Sequence, residues 1–249
     1  MWREVCRHEK DYVVRTAGKA TVRMIGRRTK ARLAKPFGSE QRNALSTLCA
    51  NLGFASVDQP LRTIAITSAM ANEGKTTIAI ELARAMAASG KRTLLVECDM
   101  RRRSLAGRLG AHARAGICSV VLGDVEPARA IVRTTAPRLH LLDAEPGVAC
   151  PVDILDSQSF RSLIAHLGRR FDHVVVDTPP AGLFVDAAVI GSIVDATLLV
   201  VRECFAERAM AAKACDQLRK GGANLVGVVM SCCEEGASRY RAYEGVAER

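Results

Sequence analysis

Residues 67–77, TSAMANEGKTT, have the composition of a loop that wraps a chain of phosphates. An apolar run precedes them and a helix is expected to begin at Lys75, which is the context that a P-loop requires. Lys75 would reach the β- and γ-phosphates, and the Thr76 hydroxyl would bind Mg²⁺. The pattern G-x-x-x-x-G-K-[ST] puts glycine at position 69, where this chain has Ala69. We expect nucleotide contacts from Asn72, Glu73, Gly74, Lys75, Thr76 and Thr77.

Carboxylates end two of the predicted strands and would supply further oxygen ligands for Mg²⁺. Asp177 ends the run HVVVD, and Glu97 and Asp99 end the run TLLVECD. Parallel strands present their carboxyl ends at one edge of a sheet, and Mg²⁺ beside phosphates is bound by one or two carboxylates. A carboxylate at the end of an apolar strand is costly unless it is paired or functional. We predict that Thr76, Asp99 and Asp177 hold the metal; capping or solvent exposure could explain any single carboxylate.

Three arginines, Arg101, Arg102 and Arg103, follow these carboxylates directly. Such a cluster could stabilise negative charge on a transferring phosphate or contact an acidic partner. The alternative is a basic surface patch without a specific role. We place Arg101 among the predicted nucleotide contacts.

Short apolar strands alternate with helices along the chain, which predicts a doubly wound, mostly parallel sheet with helices on both faces. The fold class is therefore α/β, of the P-loop NTPase type. The predicted strands are 62–67, 93–98, 139–142, 173–177, 196–201 and 225–230. The predicted helices are 39–52 with Ser39 as N-cap, 75–89, 153–167, 186–193 and 208–220, with a short helix or loop at 101–109 and a short helix at 116–122.

Composition excludes several classes of protein. Aromatic residues make up 4% of the 249-residue chain, which is too few for a typical base-stacking nucleic-acid module. The most apolar stretch, 174–201, is interrupted by three aspartates, and the first ten residues contain no apolar segment, so we expect neither a membrane span nor a secretory signal. The nine cysteines form no C-x-x-C pair and predict reduced cytosolic thiols rather than a metal site.

Charge and tail composition divide the chain into three parts. Residues 1–36 carry eleven Lys and Arg against three Asp and Glu, whereas the remainder is almost neutral. We predict a basic N-terminal arm at 1–38, a P-loop domain at 39–232 and a flexible C-terminal tail at 233–249. The arm could contact an anionic membrane surface or an acidic partner, or simply be a solvated extension. Nucleic acid is not expected.

Three segments together resemble the motifs of bacterial tyrosine kinases (BY-kinases), the CapB/CpsD-type family of capsule and exopolysaccharide synthesis. These segments are AMANEGKTT, LLVECDMRRRSL and FDHVVVDTPP. The wider group, the deviant Walker P-loop ATPases, also contains MinD- and ParA-like proteins. Those relatives place a second lysine at the position of Met70, so its absence favours the kinase family.

The resemblance implies an ATP- and Mg²⁺-dependent protein tyrosine kinase with Lys75, Glu97, Asp99 and Asp177 as its catalytic set. Glu97 matches an aspartate that assists deprotonation of the attacking tyrosine. The acceptors would be the tail residues Tyr240 and Tyr243, delivered by a neighbouring subunit of a homo-oligomer. The resemblance also implies a membrane adaptor of the polysaccharide co-polymerase type, which would recruit the cytoplasmic kinase to the inner face of the plasma membrane.

The chain departs from the family pattern at several positions. Asn43, Ser46 and Cys49 replace the E-x-x-R-x-x-R residues that drive ring assembly, and Ser231 replaces an asparagine linked to adenine recognition. These departures leave two alternatives beside the kinase. One is a non-catalytic nucleotide-binding regulator of polysaccharide export, and the other is a MinD/ParA-like ATPase switch.

Overall fold

The computed structural model describes residues 23–24, 38–55 and 60–232, and its centre is a single eight-stranded sheet. The strands are β1 (Arg23–Met24), β2 (Thr63–Ser68), β3 (Thr93–Glu97), β4 (Val132–Arg133), β5 (Leu139–Leu142), β6 (His173–Asp177), β7 (Ala196–Arg202) and β8 (Leu225–Ser231). Their order across the sheet is β1-β8-β7-β2-β6-β3-β5-β4. All pairings are parallel except that of β4 with β5.

Helices cover both faces of this sheet. They are α1 (Ser39–Phe54), α2 (Lys75–Ala88), α3 (Leu105–Leu109), α4 (Ile117–Val121), α5 (Pro127–Ala130), α6 (Pro151–Leu155), α7 (Gln158–Arg170), α8 (Asp186–Gly191) and α9 (Arg208–Lys220). Because successive strand residues point to opposite faces, Ile64 and Ile66 pack with α1 and α2, whereas Ala65 packs on the α7 side. The predicted α/β fold class is confirmed.

The register of the central strands gathers the predicted site at one edge. Ile66 of β2 and Glu97 of β3 both lie opposite Asp177 of β6. The loop after β2 leads into α2 on the same edge. The central strands therefore bring the predicted phosphate loop and the strand-end carboxylates together.

The helix predicted at 153–167 is wrong, because the structure has two helices there, α6 and α7. Ser157 makes the break: its hydroxyl accepts from the Phe160 amide at 3.1 Å and donates to the Ile154 carbonyl at 2.7 Å. It is the N-cap of α7. In α1 the N-cap is Gly38 rather than the predicted Ser39, which is the first helical residue.

The predicted arm contributes two residues to the sheet, since Arg23 and Met24 pair with the end of β8. The other residues of the arm and the tail 233–249 lie outside the described residues, so the domain boundaries stay a prediction. Within the described part of the chain, no helix combines the length and apolarity needed to cross a membrane.

Candidate functional site

The loop between β2 and α2 has the backbone shape of a phosphate-binding loop. Asn72 and Gly74 have left-handed φ angles of 67° and 96°, and Gly74 is the N-cap of the 14-residue helix α2. Glycine adopts such a conformation without a steric penalty. The loop opens onto a cavity of about 640 Å³, whose lining includes Asn72, Gly74, Lys75, Thr76 and Thr77. The first N–H groups of α2 therefore face a space large enough for a nucleotide.

Ala69, which stands where the phosphate-loop pattern has glycine, lies against Gly182 through its backbone. Ala69 is fully buried in an apolar cluster. A Cβ atom at Gly182 would meet the Ala69 carbonyl oxygen closer than real Cβ atoms approach. The loop after β6 can pass against the phosphate loop because residue 182 has no side chain.

The Lys75 ammonium lies between two strand-end carboxylates. Its Nζ is 2.7 Å from Asp99 Oδ2, 3.6 Å from Asp177 Oδ1 and 3.2 Å from the Thr76 hydroxyl. Burial lowers the pKa of Lys75, but Asp177 and Asp99 outweigh it and the net pKa is raised. Burial raises the pKa of Asp177 to about 6, against the opposing effect of Lys75. The predicted metal ligands Thr76, Asp99 and Asp177 thus surround one buried cation.

The oxygen atoms at this edge fit a metal that arrives with a nucleotide. Both carboxylate oxygens of Asp177 are buried without a normal hydrogen bond from any described residue. Asp99 and the Thr76 hydroxyl adjoin the same ammonium. No group of three His, Cys, Asp or Glu residues in the described ranges could hold a metal by itself. Mg²⁺ is usually bound by only one or two protein carboxylates, and phosphate oxygens complete its ligand set.

Glu73 lies beneath the phosphate loop and not in the cavity. Its fully buried carboxylate accepts from the Met70 amide and, at 3.3 Å, from the Arg202 amide at the end of β7. Ser231 donates to the Glu73 carbonyl oxygen at 2.6 Å. Burial raises the pKa of Glu73 against its backbone donors. Glu73 and Ser231 therefore tie the loop to β7 and β8, which the sequence did not indicate.

Each arginine of the 101–103 run holds a different neighbour. Arg101 pairs with Asp186 at 3.2 Å and lies 4.5 Å over the Phe184 ring. Arg102 donates to the Asn72 side chain at 3.1 Å, and Arg103 pairs with Asp143. Arg101 and Arg102 line the cavity. The run is anchored, which differs from a solvated basic patch.

Glu97 ends β3 with its carboxylate turned toward the start of α3. Its Oε2 accepts from the amides of Ser104 and Leu105 at 2.8 and 3.0 Å, and its Oε1 accepts from the Asp99 amide at 3.2 Å. Burial and then the nearby Asp177 charge raise the pKa of Glu97 to about 8. Glu97 belongs to the assembled edge but does not line the cavity.

Sequence comparisons identify the family. A family model described as an AAA domain matches residues 61–213. Tyrosine-protein kinase YwqD of Bacillus subtilis (strain 168) is 32% identical over 197 residues, which are 79% of this chain and 82% of that protein. Tyrosine-protein kinase CpsD of Streptococcus agalactiae is 30% identical over 222 residues, or 89% and 94% of the two chains. This chain belongs to the CpsD/CapB family of bacterial tyrosine kinases.

Solved structures agree with that assignment. The chimerical protein CapA2B2 superposes with a TM-score of 0.75 at 27% identity, covering 81% of this kinase and 88% of the chimera. Cobyrinic acid a,c-diamide synthase from Mycobacterium smegmatis, solved with a bound ATP analogue and magnesium, shares the fold with a TM-score of 0.61 at 24% identity, covering 76% and 80%. The kinase is a P-loop NTPase of the family that serves capsule and exopolysaccharide synthesis.

The cavity of this kinase also has lining residues that sequence reasoning missed. Arg108 donates to the Thr77 hydroxyl at 3.0 Å, and the five-residue helix that carries it is too short to show a periodic pattern. Asp143, which holds Arg103, follows an apolar strand just as Asp177 does, so the same signal could have found it. The other unpredicted lining residues are Ala71, Arg102, Ser104, Pro180, Leu183 and Phe184. The predicted acceptors Tyr240 and Tyr243 lie outside the described residues.

Proposed function

We propose that this kinase transfers the γ-phosphoryl group of Mg-ATP to tyrosine, and that its first acceptors are Tyr240 and Tyr243. The observation that carries the proposal is the position of Lys75 Nζ, 2.7 Å from Asp99 and 3.6 Å from Asp177 at the head of the phosphate loop. A cation held by two strand-end carboxylates beside a helix N-terminus suits a phosphate chain with its metal.

Each residue at this edge has a role in the proposal. Lys75 and the first amides of α2 bind the phosphates, and Thr76, Asp99 and Asp177 hold Mg²⁺. When bound, the metal neutralises charge on the phosphates. Arg101 and Arg102 border the cavity from the loop after β3, and Arg108 orients the Thr77 hydroxyl. Transfer between prepositioned groups needs little covalent chemistry from the protein.

Delivery of the acceptor and recruitment belong to the same proposal. A tail tyrosine of one subunit enters the cavity of a neighbour in a homo-oligomer. A membrane adaptor of the polysaccharide co-polymerase type holds the kinase at the inner face of the plasma membrane, aided by the basic residues 1–36. The name of the chimera CapA2B2, which joins a CapA part to a CapB part, supports a partner of this kind.

Phosphotyrosine mapping on the protein from its native cells tests the proposal. The digest is not tryptic, since Arg239 and Arg241 flank Tyr240. We expect phosphate on Tyr240 or Tyr243 and a loss of about 100-fold or more in Lys75→Ala, because a charge-stabilising group is removed. The matched control is Lys91→Ala, an exposed lysine, with phosphorylation at the wild-type level.

Two results would contradict the proposal. Phosphotyrosine that persists at the wild-type level in Lys75→Ala would assign the phosphate to another kinase. A wild-type protein without phosphotyrosine while polysaccharide is being made would exclude autophosphorylation.

A further inference from the structure

We propose that Glu97 is a positioning residue, which holds the loop between β3 and α3 in place for the reaction. The inference rests on the kinase function and concerns the role of one residue within it. Its origin is the hydrogen bonding of the Glu97 carboxylate, which accepts three backbone amides around this loop, while Glu97 itself is not among the residues that line the cavity.

Among the described residues, the hydrogen-bond donors to Glu97 are backbone amides of the loop that follows it and of the first residue of α3. Oε2 accepts from Ser104 and Leu105, and Oε1 accepts from Asp99. The residue has no exposed surface. A general base must come within hydrogen-bond reach of the proton that it takes. A movement of Glu97 that released these amides would leave the buried Leu105 amide without its partner, which is costly.

The loop that Glu97 holds carries the groups that surround the phosphates. Asp99 Oδ2 accepts a hydrogen bond from the Lys75 ammonium at 2.7 Å, and its Oδ1 accepts one from the Arg102 amide at 3.0 Å. Arg101 and Arg102 border the cavity from the same loop. A displacement of the loop by 1 Å would move Asp99 and both arginines together, and such displacements lower rates. Glu97 therefore acts on the reaction through Asp99.

The length of the side chain suits this role. Glu97 spans from the last residue of β3 to the first turn of α3, and bonds amides seven and eight positions further along the chain. Aspartate is shorter by one carbon–carbon bond, about 1.5 Å. From the same backbone position an aspartate would lose at least one of the amides of Ser104 and Leu105. In this chain the extra methylene connects the strand to the helix.

The experiment compares Glu97→Gln, Glu97→Asp and Glu145→Gln in the full-length protein. Glu145 is the matched control: it also accepts three backbone amides at the start of a short helix, α4, but that helix contributes no residue to the cavity lining. The measurements are the affinity for a fluorescent Mg-ADP analogue, kcat and KM for autophosphorylation, and hydrogen exchange at the amides of residues 104 and 105.

If Glu97 positions the loop, Glu97→Gln and Glu97→Asp both bind the analogue about 5- to 10-fold more weakly, exchange these amides faster and raise KM as well as lowering kcat. Glu145→Gln leaves affinity and KM unchanged. If Glu97 is the base, Glu97→Gln lowers kcat by about 10²- to 10⁴-fold at unchanged affinity, and Glu97→Asp keeps most of the activity. That second pattern, or unchanged affinity in both Glu97 variants, overturns the proposal.

One measurement needs no variant, and so does not depend on whether the variants fold. In the wild-type protein without nucleotide, the amides of Ser104 and Leu105 should already be strongly protected from exchange. Protection that appears only after Mg-nucleotide is added would overturn the proposal. Affinity and exchange are also independent of phosphate transfer, so a protein that binds nucleotide but makes no phosphotyrosine would contradict the proposed function and leave this test intact.

Discussion

Glu97 and Glu145 form nearly the same hydrogen bonds and have opposite pKa shifts. Glu97 ends β3 and Glu145 follows β5, and each accepts three backbone amides beside a short helix. Burial and then the Asp177 charge raise the pKa of Glu97 to about 8. Burial also raises the pKa of Glu145, but the amides of residues 116, 118 and 119 outweigh it and lower the pKa to about 2.

The difference lies in the surroundings of the two carboxylates. Glu97 is fully buried beside a second carboxylate, whereas Glu145 is only partly buried. The three amides therefore determine the direction of the pKa shift at Glu145, whereas at Glu97 they only reduce a shift that burial causes. The ordinary pKa of a glutamate is 4.5. The lowered pKa of Glu145 stabilises the folded state as pH rises from about 2 to 4.5, whereas the raised pKa of Glu97 destabilises it as pH rises from 4.5 to about 8. The edge suited to a metal carries an electrostatic cost that the neighbouring loop does not.

Gly116→Ala should have the largest effect on the Glu145 side. A Cβ atom there would lie within 2.9 Å of Glu145 Oε2 and still closer to the Asp143 carbonyl oxygen. Because the backbone cannot yield as a flexible side chain does, we expect a loss of about 3 kcal/mol in the free energy of unfolding. Urea denaturation of the variant beside Gly107→Ala provides the check, since a Cβ atom at Gly107 meets nothing within 4 Å. Equal stabilities for the two variants would contradict the close packing at residue 116.

The ion pair of Arg103 with Asp143 joins the two loops, and Arg103→Met should have the next largest effect. The Asp143 side chain is 4% exposed, and its Oδ1 already has no hydrogen-bond partner in the described part of the chain. Removing the arginine leaves a buried carboxylate without its cation, which should lower the free energy of unfolding. We expect a loss of only about 1–2 kcal/mol, because Arg103 is itself partly exposed and water screens the pair.

The control for that ion pair is Arg161→Met. Its partner Asp156 is 61% exposed, so we expect a change below about 0.5 kcal/mol. A double-mutant cycle of Arg103→Met with Asp143→Asn isolates the coupling between the two side chains. A coupling energy near zero would mean that the loop after β3 and the loop after β5 are held independently. Glu97 and Glu145 would then belong to two separate regions.

Sequence patterns predicted the central strands because their residues are apolar on both faces, and predicted the phosphate loop because Gly74, Lys75 and Thr76 sit between a strand and a helix. The patterns did not predict where the side chains of the site residues point. Glu73 and Glu97 have the residue type of ligand-facing groups, yet their carboxylates bond backbone amides, because loop geometry determines where a side chain points. The role of Glu145 depends on amides 26 to 29 positions earlier, which no local pattern shows.

Glu145→Gln should have the smallest effect and tests the sign of the Glu145 shift. At pH 7 the charged acceptor of three amides is replaced by a neutral one, which should cost about 1 kcal/mol. Because the folded pKa of about 2 lies below the ordinary 4.5, the wild-type advantage should be complete above pH 5 and shrink toward pH 2.

Urea unfolding at pH 7, 5, 4 and 3 measures this difference in the free energy of unfolding. The control is Glu126→Gln, an exposed glutamate whose side chain caps no helix amide. If the gap between wild type and Glu145→Gln stays constant to pH 3, or widens, the amides do not stabilise the charged form of Glu145. The contrast with Glu97 would then have to come from burial alone.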